Sequence, residues 1–304
     1  MKIAFIINPE AGNGKSVKKW RAFEKTIHFP YEKTVTRYPG HAIEIAESYR
    51  RRKEEWLLIG FGGDGTLREI IAGAAGSGQL IIGFIAAGSG NDFARGFQVF
   101  RNADEIVGFL NDPKFRKEDL GEFSNGQSFR FVSSSGIGFD AEISVLVNRS
   151  PMKKWLNTIR LGKLVYLIYV IKTLIRFDKF RLIVEESGTT SCYNDVWFAT
   201  VNNQPYFGGG MKISPQSKTN DGLLELTVVH QISRLKLLFV FGTVFTGKHT
   251  RFKEVIQFSG NAFRLNTEKE VFRHVDGDFA GKTPKDNFVT YSISRQHWNS
   301  ANTE

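Results

Sequence analysis

An apolar run, Leu57-Leu58-Ile59, passes through Gly62-Gly63-Asp64-Gly65-Thr66 into Leu67-Arg68-Glu69-Ile70-Ile71. That order predicts a strand, a glycine turn and a helix start, which commits the chain to α/β packing at this point. Glycines there let backbone N–H groups approach an anion, and a helix N-terminus favours negative charge. Asp64 alone would repel a phosphate; it fits if a divalent cation stands between carboxylate and phosphate. Most glycine turns are only tight turns, so the surrounding segments decide what this one serves.

Strand-like and helix-like patterns alternate up to about residue 120. Strands are expected at Ile3–Ile7, Glu32–Thr36, Leu57–Phe61 and Leu80–Ile85, and helices at Lys15–Ile27, His41–Glu55, Leu67–Gly73 and Ala103–Leu110. This predicts a doubly wound layer around a mostly parallel sheet, with ligands bound beyond the carboxyl ends of the strands. Two more polar turns fall there. Asn8-Pro9-Glu10-Ala11-Gly12-Asn13-Gly14-Lys15 follows the first strand and offers free backbone and a point charge, without Walker A spacing. Gly88-Ser89-Gly90-Asn91-Asp92-Phe93-Ala94-Arg95 follows the fourth, where Asn91 or Asp92 would also serve as a helix cap.

Beyond Leu120 the pattern turns β-rich. Asn125-Gly126 signals a hairpin, and strands are expected at Phe180–Glu185, Val196–Asn202, Leu223–His230, Phe252–Phe258, Ala262–Leu265 and Phe288–Ser294. Helices are expected near Phe139–Val147, Trp155–Phe177 and Ser233–Gly247. Lys218-Thr219-Asn220-Asp221-Gly222-Leu223 and Val275-Asp276-Gly277-Asp278 read first as hairpin turns, and second as metal ligands or a general base.

The length of 304 residues suffices for one large domain or two ordinary ones. Lys and Arg outnumber Asp and Glu by 41 to 31, a net charge of +10 that suits anionic surfaces and phosphorylated ligands. Cys192 is the one cysteine, which excludes an internal disulfide; its default reading is a small buried residue. The longest apolar runs, Leu164–Ile175 and Leu235–Phe245, are interrupted by Lys172 and by Lys236 and Gly242. Both fall short of the ~18 residues of a spanning helix, so a chain that does not cross a membrane is expected. Neither a Ser/His/Asp triad nor a Cys/His zinc pattern is suggested.

Taken in order, these segments resemble the diacylglycerol kinase catalytic family, the lipid kinases that include bacterial diacylglycerol kinases and the sphingosine and ceramide kinases. The resemblance rests on Asn8–Lys15, Thr36 with Gly40-His41-Ala42, Gly62–Thr66 with Glu69, Gly88–Arg95, Gly136-Ile137-Gly138-Phe139-Asp140-Ala141, Asn220-Asp221-Gly222 and Asp276-Gly277-Asp278. It implies an N-terminal doubly wound α/β domain over residues 1–122, like that of NAD kinase and phosphofructokinase. A β-rich, sandwich-like lipid-substrate domain would follow over 123–304, with the last ~15 residues returning to the first domain and the active site in the cleft between the two.

By the same resemblance, ATP would be contacted by Asn8, Pro9, Glu10, Ala11, Gly12, Lys15, Thr36, Gly62, Gly63, Asp64, Gly65, Thr66, Leu67, Arg68 and Ser89. Asp64 would act at a catalytic Mg2+. A structural Mg2+ would be held by Asp221 and the carbonyls of Lys218 and Leu223, with Asp92 joining through water. Asp276 or Asp278 would be the base, and Asp140 would line the polar end of the lipid site. Ala11, Arg68, Ala86, Ser89 and Asp278 depart from the usual pattern; at Asp278, an aspartate replaces glutamate and shortens the reach by one methylene.

The implied reaction is transfer of the γ-phosphoryl group of ATP to a lipid hydroxyl, most simply diacylglycerol to phosphatidic acid. Alternatives are a sphingoid base, ceramide, phosphatidylglycerol or prenol as acceptor, an NAD kinase-like activity, or a non-catalytic regulator binding nucleotide or anionic lipid. Such an enzyme would be cytoplasmic and peripheral at an anionic membrane, with no nucleic-acid partner and with allowance for a homodimer. Lys153, Lys154, Arg160 and Lys163 precede the apolar helix Leu164–Ile175, which reads either as a core helix or as an interfacial one.

Overall fold

The computed structural model describes residues 1–88, 92–149 and 162–302. They form two compact units, one of residues 1–88, 92–120, 208–210 and 295–302, the other of residues 121–149, 162–207 and 211–294.

The first unit runs β1 (Lys2–Ile7), α1 (Lys15–Glu24), β2 (Glu32–Val35), α2 (His41–Arg51), β3 (Trp56–Gly62), α3 (Asp64–Ala74), β4 (Leu80–Ala86), α4 (Phe93–Gly96), α5 (Ala103–Asn111) and β5 (Lys114–Glu118). Its sheet has the order β2-β1-β3-β4, then a strand returning from Trp298–Asn302, then β5. The first four strands are mutually parallel; the returning strand lies parallel to β4 and antiparallel to β5. β3 is buried throughout, as a central parallel strand covered on both faces must be. Phe5, Trp20 and Phe61 pack edge to face or tilted beneath α1 and supply much of the apolar burial on that side. Capping is local: the Asn102 side chain accepts the Glu105 N–H at 2.9 Å and starts α5.

The second unit contains β6 (Gly121–Ser124), β7 (Ser128–Phe131), β8 (Ser134–Gly138), α6 (Phe139–Arg149), α7 (Gly162–Arg176), β9 (Phe180–Glu186), β10 (Thr189–Asn202), β11 (Leu224–His230), α8 (Arg234–Thr243), β12 (Val255–Gly260), β13 (Ala262–Thr267), β14 (Phe272–Val275), β15 (Asp278–Lys282) and β16 (Val289–Ile293). Its strands pair antiparallel in the order β15-β14-β8-β10-β9-β13-β16-β6-β7, with β11 joining β10 to β12. A register shift between Tyr193 and Val196 lets the long β10 pair with β9 along its first half and β8 and β11 along its second. Trp197, Phe177, Phe139 and Phe180 fill the core beneath α6 and α7. No helix among the described residues is long and apolar enough to cross a membrane.

Several sequence expectations need correction. β5, β8, β14, β15 and the returning strand are additional to those expected. The strand expected from Phe252 begins at Val255, because residues 248–251 form a 3-10 turn. Cys192 is exposed rather than buried, with its Sγ accepting the Arg181 Nε–H at 3.0 Å. Lys153, Lys154 and Arg160 lie outside the described residues.

Candidate active site

In the first unit the turns after β1, β2, β3 and β4 converge on one cavity of about 470 Å³. Its wall includes Asn8, Pro9, Glu10, Ala11 and Gly12 after β1, Thr36 to Pro39 after β2, Gly63 to Thr66 with Glu69 at the start of α3, and Gly88 after β4. Asn8 fastens two of these turns: its Nδ2 donates to Thr66 Oγ1 at 2.9 Å, and its Oδ1 accepts the Glu10 N–H at 3.0 Å. Gly12 has a φ of +62°, and a Cβ there would lie 2.6 Å from the Ala87 carbonyl oxygen, so only glycine fits. The cavity is thus floored by a helix N-terminus and glycine backbone, an anion-binding arrangement.

Asp64 sits on this wall as the first residue of α3, its Oδ1 accepting the Phe93 N–H at 3.2 Å. Glu69 also faces the cavity and accepts the Gly40 and Ala42 N–H groups at 2.9 and 3.2 Å, which supplies the cap that α2 lacks from its own Gly40. Other expected contacts fall elsewhere. Gly62, Leu67, Arg68 and Lys15 are not part of the wall: Leu67 is buried in the core and Lys15 is exposed at the start of α1. Ser89 lies outside the described residues. Arg37, Tyr38 and Pro39 were not anticipated; the signal available was their position directly after Thr36 at a strand's carboxyl end.

Asp92, expected to join a metal network through water, makes direct hydrogen bonds within the first unit. Its Oδ2 accepts the Gly209 N–H at 2.7 Å, and its Oδ1 accepts the Gly210 N–H at 2.6 Å and Arg95 at 3.2 Å. Those donors hold the 208–210 loop against α4.

In the second unit Asp276, expected as the base, also ties down a neighbouring segment. With a φ of 49°, it accepts the N–H groups of Val132, Ser133 and Ser134 at 3.0, 2.7 and 3.0 Å. The carboxylate is thereby held in one orientation. Asp278 starts β15 in an exposed position. Two residues before Asp276 is His274, which sequence reasoning passed over. It is fully buried, lies flat against Phe207 at 4.7 Å, and faces Asp140 Oδ2 through Nε2 at 3.1 Å. Its Nδ1 accepts the Gly277 N–H at 3.4 Å, so the proton is on Nε2 and is donated to Asp140. Gly136 makes room for this pair, since a Cβ there would be 2.3 Å from both partners.

Asp140 also lines a narrow apolar slot of about 60 Å³, walled by Phe139, Val170, Leu174, Phe198, Leu237 and Val244 among others. His249, 2 % exposed, is a further polar group on that wall; it meets the Ile213 carbonyl at 3.0 Å, and burial holds its imidazole below the ordinary range.

Among the described residues no three His, Cys, Asp or Glu side chains form a metal cluster. The oxygen donors fit magnesium by another route. At Asp221 the carboxylate accepts the Leu223 N–H at 3.1 Å, and the neighbouring Glu225 is 4 % exposed with an Oε2 that has no hydrogen-bond partner. Burial, then the nearby Asp221 charge, pushes the Glu225 carboxyl above its ordinary range. A hard cation near Asp221 would relieve that orphaned oxygen, in keeping with an all-oxygen set that includes the Lys218 and Leu223 carbonyls.

Residues 2–123 match the diacylglycerol kinase catalytic domain, and residues 133–293 match the YegS C-terminal NAD kinase beta sandwich-like domain. The chain is 31% identical over 291 residues to YtlR of Bacillus subtilis (strain 168), provisionally named a lipid kinase, covering 92% of this chain and 94% of that one. It is 28% identical over 292 residues to a diacylglycerol kinase of Mycobacterium tuberculosis (strain ATCC 25618 / H37Rv), covering 93% and 90%. In fold it is similar to a diacylglycerol kinase crystal structure from Bacillus anthracis str. Sterne, with a TM-score of 0.68, 20% identity and coverage of 99% and 97%. An NAD kinase from Archaeoglobus fulgidus solved with ATP shares the fold more distantly, with a TM-score of 0.52, 10% identity and coverage of 100% and 94%.

Proposed function

The chain belongs to the diacylglycerol kinase family of alcohol phosphotransferases, and within it we propose that this kinase passes the γ-phosphoryl group of ATP to the free hydroxyl of diacylglycerol, giving phosphatidic acid. The observation that carries this reading is the presence in one chain of two complementary half-sites. One is the glycine-floored polar cavity at the start of α3; the other is the apolar slot with the Asp140 carboxylate on its wall.

The first unit's glycine amides would hold the phosphates, with Asn8 and Thr66 fixing the turns and Thr36 to Pro39 left for the nucleoside. Asp64 would act at a catalytic Mg2+, whose charge would offset that of the phosphates, and the oxygens at Asp221 would hold a second, structural Mg2+. In the second unit the slot would take the acyl end of the lipid, and Asp140, oriented by His274, would line its polar end. The acceptor hydroxyl oxygen attacks the γ-phosphorus in line, the bond to the ADP oxygen breaks, and the hydroxyl proton passes to Asp276, with Asp278 as the alternative acceptor. A loose transition state leaves that proton in place until late, so the step demands little basicity of its acceptor. The enzyme would be cytoplasmic and would meet its lipid at a membrane surface.

The test is γ-labelled ATP with a panel of lipid alcohols in mixed micelles, using wild type, Asp64→Asn, Asp276→Asn and Asp278→Asn. We expect label in phosphatidic acid and a loss of at least about 100-fold for Asp64→Asn and Asp276→Asn. Label in another lipid alcohol would change the acceptor, and label in NAD alone would overturn the lipid reading. ATP binding with no transfer would favour a regulator. An active Asp276→Asn beside a dead Asp278→Asn would move the base.

A further inference from the structure

Apart from Arg234 and Lys236 in its first turn, helix α8 carries apolar residues on its outer as well as its inner face. Leu237 and Val240 pack inward, whereas Leu235 is 81 % exposed and Phe239 67 %. Phe245, in the 3-10 turn that follows, is 52 % exposed. The described part of α7 repeats the division: Val170 and Leu174 turn into the core, and Ile168, Ile171 and Ile175 face out. The two helices are fastened together, for Arg234 Nε at the start of α8 donates to the Leu174 carbonyl at 2.9 Å. Leu238 belongs both to the wall of the apolar slot and to the exposed surface. An exposed apolar patch of this kind marks an interaction surface.

The charges around the patch select its partner. Between Gln231 and Lys253 the chain carries Arg234, Lys236, Lys248, Arg251 and Lys253 and no acidic residue. Lys248, Arg251 and Lys253 are exposed, and so are Lys172 and Arg176 between and beyond Ile171 and Ile175 on α7. Lys236 is, among the described residues, the member of this group that meets a carboxylate, Glu254 at 2.7 Å. A second copy of this chain docking on the same face would bring its own cations against these. An anionic bilayer supplies the opposite charge, and hydrocarbon for the apolar side chains.

We infer that the outer face of α8, with Leu235, Phe239 and Phe245 and the Ile171–Ile175 ridge of α7 beside it, inserts into an anionic lipid surface and sets the slot at the level of its lipid. This rests on the reading of the slot as a lipid site. Leu235 and Phe239 lie outside that slot, so their replacement separates surface docking from catalysis.

The experiment is sedimentation of the full chain with vesicles of phosphatidylglycerol and phosphatidylcholine, or of phosphatidylcholine alone. It compares wild type with Leu235→Glu/Phe239→Glu and with Lys248→Glu/Arg251→Glu. Wild type should sediment with anionic vesicles only, and each double variant should bind about 100-fold more weakly or worse. Activity on a short-chain diacylglycerol dissolved as monomer should remain unchanged in both, while activity on long-chain diacylglycerol in vesicles falls with binding. Phe245→Glu serves where a double variant fails to fold by circular dichroism. Vesicle binding equal to wild type in the apolar variants would overturn the inference. So would a wild-type dimer in sedimentation velocity that these variants split. If wild type phosphorylates no lipid while the binding pattern holds, the reaction is misassigned and the surface stands.

Discussion

Gly136→Ala tests whether the Asp140–His274 pair is a built part of the second unit. The new Cβ would sit 2.3 Å from Asp140 Oδ2 and 2.3 Å from His274 Nε2, atoms that are themselves 3.1 Å apart. An ordinary carbon contact is about 3.5 Å, so each must retreat by about 1 Å. His274 cannot do so cheaply, being fully buried and stacked on Phe207, so Asp140 must leave and the imidazole N–H loses its acceptor. Overpacking costs about 1–3 kcal/mol and the abandoned donor about 1–3 kcal/mol, together about 2–6 kcal/mol. For a unit of this size that lowers the thermal midpoint by roughly 5–20 °C. The assay is thermal unfolding followed by a double-mutant cycle with Asp140→Asn. In the Gly136→Ala background Asp140→Asn should cost almost nothing more, because the hydrogen bond is already gone. A midpoint within about 2 °C of wild type, or costs that add, would refute the reasoning.

Gly65→Ala makes the opposite case: nothing lies within 4 Å of its added Cβ, and the residue is in the first turn of α3 on the cavity wall. Urea unfolding should show a gain of about 0.5–1 kcal/mol from helix propensity, while ATP affinity by calorimetry falls about tenfold or more; unchanged affinity would remove this turn from the phosphate site. His249→Gln probes pH. Burial lowers the His249 pKa in the folded state, so the unfolded chain binds the extra proton first, and stability falls as pH drops below about 6.5. The variant should lose less stability than wild type between pH 7.5 and pH 5.5, roughly, with His230, also lowered by burial, keeping part of the slope. Equal slopes would mean that His249 does not titrate in that window.

The first unit was legible because its central strands are apolar runs that end in glycine or asparagine turns, and burial on both faces leaves no polar alternation to confuse them. β5 was missed because its sequence, Lys114 to Glu118, is mostly exposed and charged, and its pairing comes from a segment about 180 residues away. β8 reads as serine and glycine; it is a strand only because β10 and β14 bond to it on both sides. At the site the glycine turns were found from sequence, whereas the carboxylates were placed but their partners were not. Asp276 looks like a hairpin residue until Val132 to Ser134 arrive from 142–144 positions earlier. His274 in a β run looks like an ordinary core histidine, and only the fold brings Asp140 to it. Asp92 was read through family resemblance, and the Gly209 and Gly210 amides that occupy it were invisible in sequence.

The strand Trp298–Asn302 lies inside the first unit's sheet, between β4 and β5. On the ribosome this places a delay in the life of the molecule. β4 and β5 leave the exit tunnel with open edges, and the strand that closes them is made about 180 residues later, roughly 10–35 s at ordinary translation rates. During that interval the nascent first unit presents unpaired strand edges, which are templates for wrong pairing. A chain stopped before residue 298 would keep every glycine turn and still lack a finished sheet to hold them.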